Sequence, residues 1–575
     1  MADQDVGGAP QDPEDAPAKK AVAKKAPSKK TSAKKAPAKK APARKAPAKQ
    51  AAPKKAAAKK TAAKATKTPK KTTAKRSRAT PATTSRTQAA KTADAAVPSP
   101  PDTPAPAPDT VEPARRFPPD PEQLSRPWLA SYPPLVPATY PYPDVPLTRL
   151  LDDAAKDFPD SPAVEFMGTT LTYRRLHEQV DRFASALQAL GVQPGDRVGI
   201  AMANCPQHVI AFFAVLRVGG VVVALDPAAD SDTLGRRIND TGCSVLVVLD
   251  PVYASVAELK GRVPTVQHVV ATAIADMLPP LASARFHLRH RRNPQLVHKI
   301  AQSEGVLRFS ELVRRHPPTV TQHPLVPERD LAVLAFEPGG TRAVMLTHRN
   351  LLANVFQLRL WIPDVQAGRE VILCAVPLHQ PFGVTAGLSL SVLSAATMVL
   401  VPSEDRSEVL SAADRRHPTL FPATRAMVEG VVDGGGLRKH DLTSIRACLC
   451  DANLDPETVK QFEDASGGRL REGLAVSEAS PMTHANPIYG KAKAHRIGLP
   501  LTDTQCALVD PQDRSRLAEP GAAGELAVSG PQVFAGYWNR PDDTAGVLVD
   551  GWLLTGRLAE VDDDGYYCVT GEVRR

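Results

Sequence analysis

The sequence predicts an α/β fold built on a parallel sheet. Three short apolar runs rich in β-branched residues, 197–202, 221–225 and 244–249, indicate buried strands. Helical stretches separate them, at 206–217 and 230–240. Strand, helix and strand in alternation are typical of βαβ units, whose helices cover both faces of a parallel sheet.

The residues before this core predict a helix, a strand pair and a second helix. The strand pair, 163–166 and 170–173, is joined through Met167 and Gly168. The second helix ends at Gly191, a residue type that commonly closes helices. The inward stripes have helical spacing: Leu147, Leu150, Leu151, Ala154, Ala155 and Phe158 in the first helix, and Leu176, Val180, Phe183, Ala184, Leu187 and Leu190 in the second.

Residues 1–116 are predicted to form a disordered tail and linker, and residues 117–575 a folded domain that becomes ordered near Trp128. Between Lys19 and Lys91 the chain has 26 Lys and Arg residues and no acidic residue. Lysine pairs recur every five residues, which places the charges on no single helical face, and repeated prolines block helix propagation. Little apolar bulk is present to offset the entropy of ordering, so disorder is predicted.

The composition of this tail favours contact with a polyanion. Lysines neutralise phosphates and release counterions, so DNA or another polyanion is the predicted partner. The tail resembles the Lys/Ala/Pro tails of linker histones and of bacterial nucleoid proteins, and nucleoid association is the matching expectation. A solubilising or spacing arm is the alternative. Aromatic residues are absent from the tail, so base stacking is not expected.

The charge outside the tail has the opposite sign. The chain has a net charge of +11, but 46 basic and 56 acidic residues remain once residues 19–91 and the five acids of the first sixteen residues are set aside. The seven cysteines form no CxxC pair and no metal-ligand spacing, which indicates a reducing compartment. The first ten residues lack the apolar region of a signal peptide, so a cytoplasmic location is expected.

A series of short motifs follows in fixed order along the folded part. They are Trp128–Pro133, Leu171–Tyr173, Leu190–Val198, Asn204–Gln207, Met345–Asn350, Asp441–Arg446, Gly536–Pro541 and Asp550–Gly556. In this order the motifs resemble the large N-terminal domain of adenylate-forming acyl-CoA synthetases, most of all long-chain fatty acid–CoA ligases. The resemblance implies a layered parallel-sheet domain with a small β-rich subdomain near the C-terminus. It also implies an enzyme that joins a fatty acid to AMP using Mg-ATP and then passes the acyl group to coenzyme A.

The first site motif that the resemblance implies is a phosphate-binding loop. Family members read roughly Y-T-S-G-T-T-G-x-P-K-G, and this chain has Gly339, Gly340, Thr341 and Arg342 in that place. The loop is shorter, has one hydroxyl, lacks the lysine and puts Glu337 beside the phosphates. A loop that loses amides and hydroxyls loses the donors of an anion site. A plain strand-to-helix turn is therefore the favoured interpretation, with Arg342 as a partial substitute for the lysine.

The metal-binding and adenine-binding motifs of the family are also altered. Glu478 aligns with the glutamate that binds Mg²⁺ in the family, and Ser477 keeps a hydroxyl. Asp451 and Ala452 stand where a glycine-rich backbone would pass close to the adenine, and Leu474 replaces an aromatic residue. Glu478 is the candidate Mg²⁺ ligand, and a solvated acidic residue at a turn is the alternative.

The ribose motif of the family places an aspartate where this chain has Arg557. An arginine has only hydrogen-bond donors, so it cannot accept from the ribose hydroxyls. The arginine of the family's hinge motif has become Glu572. The first exchange replaces a negative charge by a positive one, and the second does the reverse. The hypothesis is therefore that Arg557 and Glu572 pair with one another and fill the ribose site.

On the acyl side, the family motif P-L-F-H-x-x-G aligns with residues 377–383. His379 is displaced by one position, and Gln380 stands where the family has histidine. Gly383 matches. A structural role for His379 is favoured over a catalytic one, and a fatty acid or acyl-CoA is the expected ligand.

A basic cluster at residues 285–292 interrupts the folded part. A solvated loop is the favoured interpretation. Contact with an anionic membrane surface is the alternative, since basic and apolar residues are mixed in the cluster.

The altered motifs favour a catalytically impaired relative of long-chain fatty acid–CoA ligases, in which binding of Mg²⁺ and ATP is lost. The sequence ends at Arg575, within the motif that resembles the hinge, so the family's small C-terminal domain is expected to be missing. Such a protein would act as a binding scaffold with a polyanion-binding tail. The alternatives are an active ligase completed by a separate small domain, and a gene remnant without a selected role.

Overall fold

The computed structural model describes residues 124–290, 300, 305–337, 339–433 and 437–573. The chain divides into two units, 1–103 and 104–575, and all described residues belong to the second. The predicted tail and linker, residues 1–116, lie outside the described residues.

The strands are numbered in chain order. They are β1 (Pro162–Phe166), β2 (Thr169–Thr172), β3 (Arg197–Ala201), β4 (Val221–Ala224), β5 (Val245–Leu249), β6 (His268–Thr272), β7 (Leu307–Arg308), β8 (Leu331–Phe336), β9 (Ala343–Thr347), β10 (Val371–Cys374), β11 (Thr397–Leu400), β12 (Leu420–Ala423), β13 (Ala447–Cys450), β14 (Arg469–Ala475), β15 (Met482–Ala485), β16 (Leu499–Pro500), β17 (Gln505–Val509), β18 (Gly524–Ser529), β19 (Leu548–Val549), β20 (Trp552–Val561) and β21 (Tyr567–Glu572).

The helices are numbered in the same way. They are α1 (Arg149–Asp157), α2 (Tyr173–Ala189), α3 (Pro206–Arg217), α4 (Ser231–Thr241), α5 (Asp250–Glu258), α6 (Pro280–His290), α7 (Phe309–Arg315), α8 (His348–Trp361), α9 (Leu390–Leu393), α10 (Arg406–Arg416), α11 (Arg425–Asp433), α12 (Pro456–Ser466) and α13 (Pro541–Ala545). A π-helical stretch, Gly383–Ser389, leads into α9.

The first sheet has seven strands in the order β7-β6-β5-β3-β4-β8-β9. Strand β3 lies between β5 and β4 and is parallel to both, so the βαβ units predicted from the sequence are confirmed. Only the β8–β9 pair is antiparallel. Strand β5 is buried along its whole length, as expected for a parallel sheet covered by helices on both faces.

The second sheet has nine strands in the order β16-β15-β14-β13-β12-β10-β11-β1-β2. Its middle strands are parallel, and antiparallel strands flank them at both edges. Strands β17 to β21 form a third, antiparallel sheet near the C-terminus. The predicted α/β class, with a small β-rich subdomain at this end, is confirmed.

The core is continuous across the two large sheets. Every residue of α3 is buried, which explains why this segment is apolar on all faces rather than along one stripe. The inward stripe of α1 is buried through Leu150, Leu151 and Ala154. The N-terminal motif also packs into the body, because the Trp128 side chain is buried and its ring meets Tyr567 edge-on at 6.3 Å.

The basic cluster at 285–292 differs from its prediction as a loop. Its first part lies in α6, which continues to His290, and the rest lies outside the described residues. Ala282, Ala284 and Leu281 favour helix formation there. Within the described part of the chain, no helix is long and apolar enough to cross a membrane.

Candidate functional site

The segment that resembles a phosphate loop forms a closed turn. It joins the antiparallel strands β8 and β9, whose residues Phe336 and Ala343 are paired. The Gly340 amide donates to the Glu337 carbonyl at 2.9 Å, and Gly339 takes φ +70°, a conformation that glycine adopts without steric cost. The predicted strand-to-helix turn is thus a strand-to-strand turn, because β9 intervenes before α8.

Arg237 on α4 holds this turn in place. Its Nη2 donates to the Gly340 carbonyl at 2.7 Å, and its guanidinium lies over the Phe336 ring, 4.5 Å from the centroid. Arg237 is only 6 % exposed. One amide and one carbonyl of the turn are therefore engaged by the protein itself. Thr341 lines a separate groove with Arg236, Arg237 and Arg540.

Glu337 and Arg342, at the two ends of the turn, lie beside one cavity of about 400 Å³. Arg342 Nη2 is 3.9 Å from Glu337 Oε2, and its guanidinium stacks 4.5 Å above the Tyr537 ring. Burial raises the pKa of the Glu337 carboxyl, and the charge of Glu478 adds to the rise, while Arg342 and Arg557 oppose it. The arginine expected to replace the family lysine is thus held by Glu337 and Tyr537.

Glu478, the candidate Mg²⁺ ligand, is buried rather than solvated. It lies in a short 3-10 turn, Ser477–Ala479, directly after β14, and is 5 % exposed. The Tyr537 hydroxyl donates to Glu478 Oε1 at 2.5 Å. Burial and the Glu478 carboxylate together raise the pKa of Tyr537, so this hydroxyl stays protonated and remains a donor. No group of three or more potential metal-ligating residues occurs in the part of the chain that the structure describes.

Arg557 and Glu572 are directly paired residues of β20 and β21. Arg557 Nη1 donates to Glu572 Oε1, as the sequence hypothesis predicted. Their side chains are 40 % and 74 % exposed, so the pair stands at the mouth of the cavity. The neighbouring Thr555 hydroxyl donates to the Leu526 carbonyl at 2.7 Å. The second polar side chain of this motif is therefore also hydrogen-bonded within the protein.

The structure brings together only some of the predicted nucleotide-site residues. The 400 Å³ cavity is lined by Glu337, Arg342, Ser477, Glu478 and Arg557. Tyr537 was missed as a site residue, although it belongs to a motif that the sequence analysis singled out. The predicted residues that do not line this cavity are Gly339, Gly340, Thr341, Asp451 and Ala452.

Asp451 has a structural role at the end of β13. Its Oδ1 accepts from the Arg425 amide at 3.0 Å, and its carbonyl accepts from the Ala475 amide. Burial raises the pKa of the Asp451 carboxyl. Leu474, which stands in the family's aromatic position, is buried within β14.

Two of the three residues predicted on the acyl side, His379 and Gln380, line a second cavity of about 250 Å³, whereas Gly383 does not line it. His379 and Gln380 follow β10, Asp226 follows β4, and Glu404 follows β11, so the cavity lies at the carboxyl ends of strands from both large sheets, where ligands bind in open α/β folds. His379 Nε2 is 3.8 Å from Asp226 Oδ1, and burial lowers the pKa of His379 while Asp226 opposes this.

Asn204 and Gly383 fix the loop that carries His379. The Asn204 amide donates to the carbonyls of Cys374 and Val376, and its Oδ1 accepts from the Leu378 amide at 2.8 Å. A Cβ on Gly383 would lie 2.1 Å from the Pro377 carbonyl oxygen, so only glycine fits there. Asn204 was missed as a site residue because its three partners lie about 170 positions away, beyond any local pattern.

Comparisons with known proteins show the family of the chain. The model of the AMP-binding enzyme family matches residues 151–538. A long-chain fatty acid–CoA ligase of Bacillus subtilis is 37 % identical over 452 residues, which cover 78 % of this chain and 80 % of that protein. The corresponding ligase of Salmonella typhimurium is 31 % identical over 452 residues, with 77 % and 80 % covered.

Solved structures share the fold. An anthranilate CoA ligase in complex with anthranoyl-AMP superposes with a TM-score of 0.66 at 21 % identity, covering 75 % of this chain and 79 % of that one. A long-chain fatty acid–CoA ligase of Archaeoglobus fulgidus gives a TM-score of 0.65 at 20 % identity, with 76 % and 86 % covered. Because the family model spans most of the folded part and the Bacillus relative matches over the same region, the chain belongs to the AMP-binding enzyme family and is a homologue of the long-chain fatty acid–CoA ligases.

Proposed function

We propose that this chain is a catalytically impaired relative of the long-chain fatty acid–CoA ligases that acts as an acyl-binding scaffold. The observation that carries the proposal is the Arg557–Glu572 contact at the cavity mouth. The resemblance puts a ribose-accepting carboxylate at position 557. The guanidinium found there can only donate hydrogen bonds, and Glu572 already takes up its charge.

The other charged groups around this cavity also fit Mg-ATP poorly. Glu337 adds a carboxylate where a triphosphate would lie, and like charges at short range repel. The Glu478 carboxylate accepts from Tyr537, and the turn between β8 and β9 uses the Gly340 amide and carbonyl internally. The cavity has the volume of a ligand site, but both of its arginines are already engaged by carboxylates of the same cavity, Arg342 by Glu337 and Arg557 by Glu572. We derive no adenylation step through it.

The acyl side supports retained binding. Asn204 and Gly383 keep the loop of His379 in a defined backbone conformation, and the relatives named above are ligases of long-chain fatty acids. A fatty acid or an acyl-CoA is therefore the proposed ligand of the scaffold.

The tail supplies the proposed location, in the cytoplasm and on the nucleoid. The 26 Lys and Arg residues between Lys19 and Lys91, where no acidic residue occurs, suit DNA or another polyanion. Because the tail and the folded unit belong to one chain, even weak tail contacts would raise the local concentration of the folded unit near the polyanion.

Pyrophosphate release with ATP and mixed long-chain fatty acids tests the loss of activity. We expect the chain to release no more fatty-acid-dependent pyrophosphate than a Glu478→Gln variant, which serves as the background. Turnover well above that variant would overturn the proposal. Turnover that appears only when cell extract is added would favour the alternative, an active ligase completed by a separate small domain.

Binding of duplex DNA across a salt series tests the tail. We expect the logarithm of the binding constant to fall linearly with that of the salt concentration, with a slope set by the phosphates contacted. A variant of the full chain with glutamine at ten positions should show a shallower slope, and an unchanged slope and affinity would contradict the tail assignment. The ten positions are Lys19, Lys20, Lys24, Lys25, Lys29, Lys30, Lys34, Lys35, Lys39 and Lys40.

A further inference from the structure

The groove that Thr341 lines has a volume of about 390 Å³ and is lined by three arginines. Arg236 and Arg237 belong to α4, and Arg540 directly precedes α13. Thr233 and Asp240, also on α4, share one helical face with Arg236 and Arg237 because of their spacing. No lining residue of this groove lines the 400 Å³ cavity, so the groove is a separate feature of the surface.

Arg237 carries a buried charge that no carboxylate neutralises at close range. Its Nη2 donates to the neutral Gly340 carbonyl, and within the described residues its Nε has no hydrogen-bond partner and its guanidinium forms no ion pair. Burial lowers the pKa of Arg237, the Asp226 and Asp230 carboxylates oppose this shift, and the charge of Arg236 adds to it. A buried charge is costly unless it is paired, so this guanidinium favours an anion beside it.

The two other arginines of the groove are exposed and add to its positive charge. Arg236 Nη2 donates to the Thr233 hydroxyl at 2.9 Å, which again is a neutral partner. Arg540 Nη2 lies 3.4 Å from Asp240 Oδ1, farther than in a strong charge-assisted hydrogen bond. The groove therefore has three positive charges against the single carboxylate of Asp240.

The remaining donors of the groove favour a phosphate over other anions. The hydroxyls of Thr233 and Thr341 and the side-chain amide of Asn239 also line it. A phosphate group has oxygens that point in several directions, so it can accept from donors on separate elements, whereas a carboxylate presents two oxygens in one plane. Guanidinium groups match phosphate oxygens with paired N–H donors. The lysine-rich tail has the same charge as the groove and would be repelled by it.

We propose that this groove binds the phosphate group of a small molecule. The exposed guanidinium groups of Arg236 and Arg540 hold the phosphate oxygens, and Arg237 supplies a fixed, buried charge beside them. Binding also neutralises Arg237, whose contact with Gly340 holds the β8–β9 turn. The inference goes beyond the proposed function and does not depend on whether the nucleotide cavity is active.

Urea unfolding of the full chain tests this site, because a ligand that binds the folded state raises the unfolding midpoint as its concentration increases. Inorganic phosphate is the probe in one arm and ribose 5-phosphate in the other, each compared with sodium chloride at matched ionic strength. We expect both probes to raise the midpoint. A larger rise with ribose 5-phosphate would assign the site to a phosphorylated metabolite, and equal rises would assign it to free phosphate.

Variants of the groove locate the effect. Arg236→Gln and Arg540→Gln should each weaken the apparent affinity for phosphate about tenfold, since a charge-assisted hydrogen bond is lost. Asp240→Asn should strengthen it, because a repelling carboxylate is removed and Arg540 is released. Both arginines are exposed, so unfolding of their variants is not expected, and the midpoint of each variant without ligand checks this. The tail is the same in all variants, so its own phosphate contacts cancel in the comparison.

Arg342→Gln is the matched control, because Arg342 belongs to the same β8–β9 connection but lines the 400 Å³ cavity. Its response to phosphate should stay within about twofold of the unmodified chain. Three results would overturn the proposal. One is a midpoint that phosphate raises no more than chloride or acetate does. Another is an unchanged response in Arg236→Gln and Arg540→Gln. The third is a response that Arg342→Gln abolishes, which would place the phosphate in the nucleotide cavity.

Discussion

Two networks of arginines and carboxylates in this molecule differ in burial. In the first, which we call the helix network, Arg217 on α3 joins Asp152 on α1 and Asp181 on α2, with His177 contacting both acids. The Arg217 side chain is 5 % exposed. In the second, the cavity network, Arg557 pairs with Glu572 while both side chains remain largely in solvent.

This difference in burial indicates which charged residues the fold depends on and which can be exchanged without loss of the fold. A buried charge that loses its partner costs several kcal/mol, whereas an exposed pair contributes about 1 kcal/mol or less. The helix network fixes the packing of three helices, and its residues are constrained by that packing. The cavity network replaces family motif residues at positions where the fold tolerates exchange. The exchanges at positions 557 and 572 therefore leave the fold intact.

The largest expected effect is on the helix network. Arg217→Leu leaves the Asp152 and Asp181 carboxylates without their cation, and the chain should lose about 3 kcal/mol of unfolding free energy. Urea denaturation measures this loss. Arg149→Leu is the control, because Arg149 pairs with Asp153 at the surface and should cost less than about 0.5 kcal/mol. Similar costs for the two variants would erase the distinction between the networks.

The second prediction concerns three buried histidines. It tests whether burial keeps their rings uncharged in the folded chain. Burial lowers the pKa of His208 and of His348 to about 4, and that of His484 to about 3, from the ordinary value of 6.5. The unfolded chain therefore binds more protons than the folded chain between these values. The contribution of the neutral rings to the unfolding free energy is fully present above pH 6.5. It is lost as the pH falls towards 4, by up to about 1.4 kcal/mol per pH unit for each ring.

Unfolding free energies across this pH range give the slope. His484→Gln should reduce the slope by about one proton, whatever it does to stability at neutral pH. His323→Gln is the control, because His323 is exposed and its exchange leaves the buried rings in place. A slope that His484→Gln does not alter would show that this ring is protonated in the folded chain.

The smallest expected effect is on the cavity network. Arg557→Ala and Glu572→Ala should each change the unfolding free energy by less than about 1 kcal/mol, with a coupling of about 0.5 kcal/mol in a double-mutant cycle. The exposure of both side chains explains why a larger change is not expected. Zero coupling would mean that the pair does not persist in solution.

Much of the fold could be predicted, because parallel strands and the helices that cover them have a local signature. The runs that became β3, β4 and β5 are apolar along their length, and their separating helices follow directly. The Arg557–Glu572 contact was also predictable, since opposite exchanges occurred at two positions of known motifs. The remaining contacts could not be predicted, because their partners are far apart in the sequence.

The contacts that could not be predicted join distant segments. Tyr537 donates to Glu478 across 59 positions, and Arg237 donates to Gly340 across 103. Neither residue type nor local spacing indicates such a partner. For the same reason, the burial of Glu478 could not be predicted, and the stretch that forms α6 is predicted as a loop, because the burial of Phe286 against the body is a tertiary contact.

Titration calorimetry of the full chain with Mg-ATP tests the central claim most directly. The claim is that both arginines of the 400 Å³ cavity are already engaged by its carboxylates and leave no nucleotide site. A variant that exchanges the pair, Arg557→Asp with Glu572→Arg, restores an acceptor at the ribose position and keeps opposite charges on β20 and β21. We predict no detectable heat for the unmodified chain at millimolar nucleotide, and measurable binding for the exchanged pair. Micromolar binding of Mg-ATP by the unmodified chain would contradict the account.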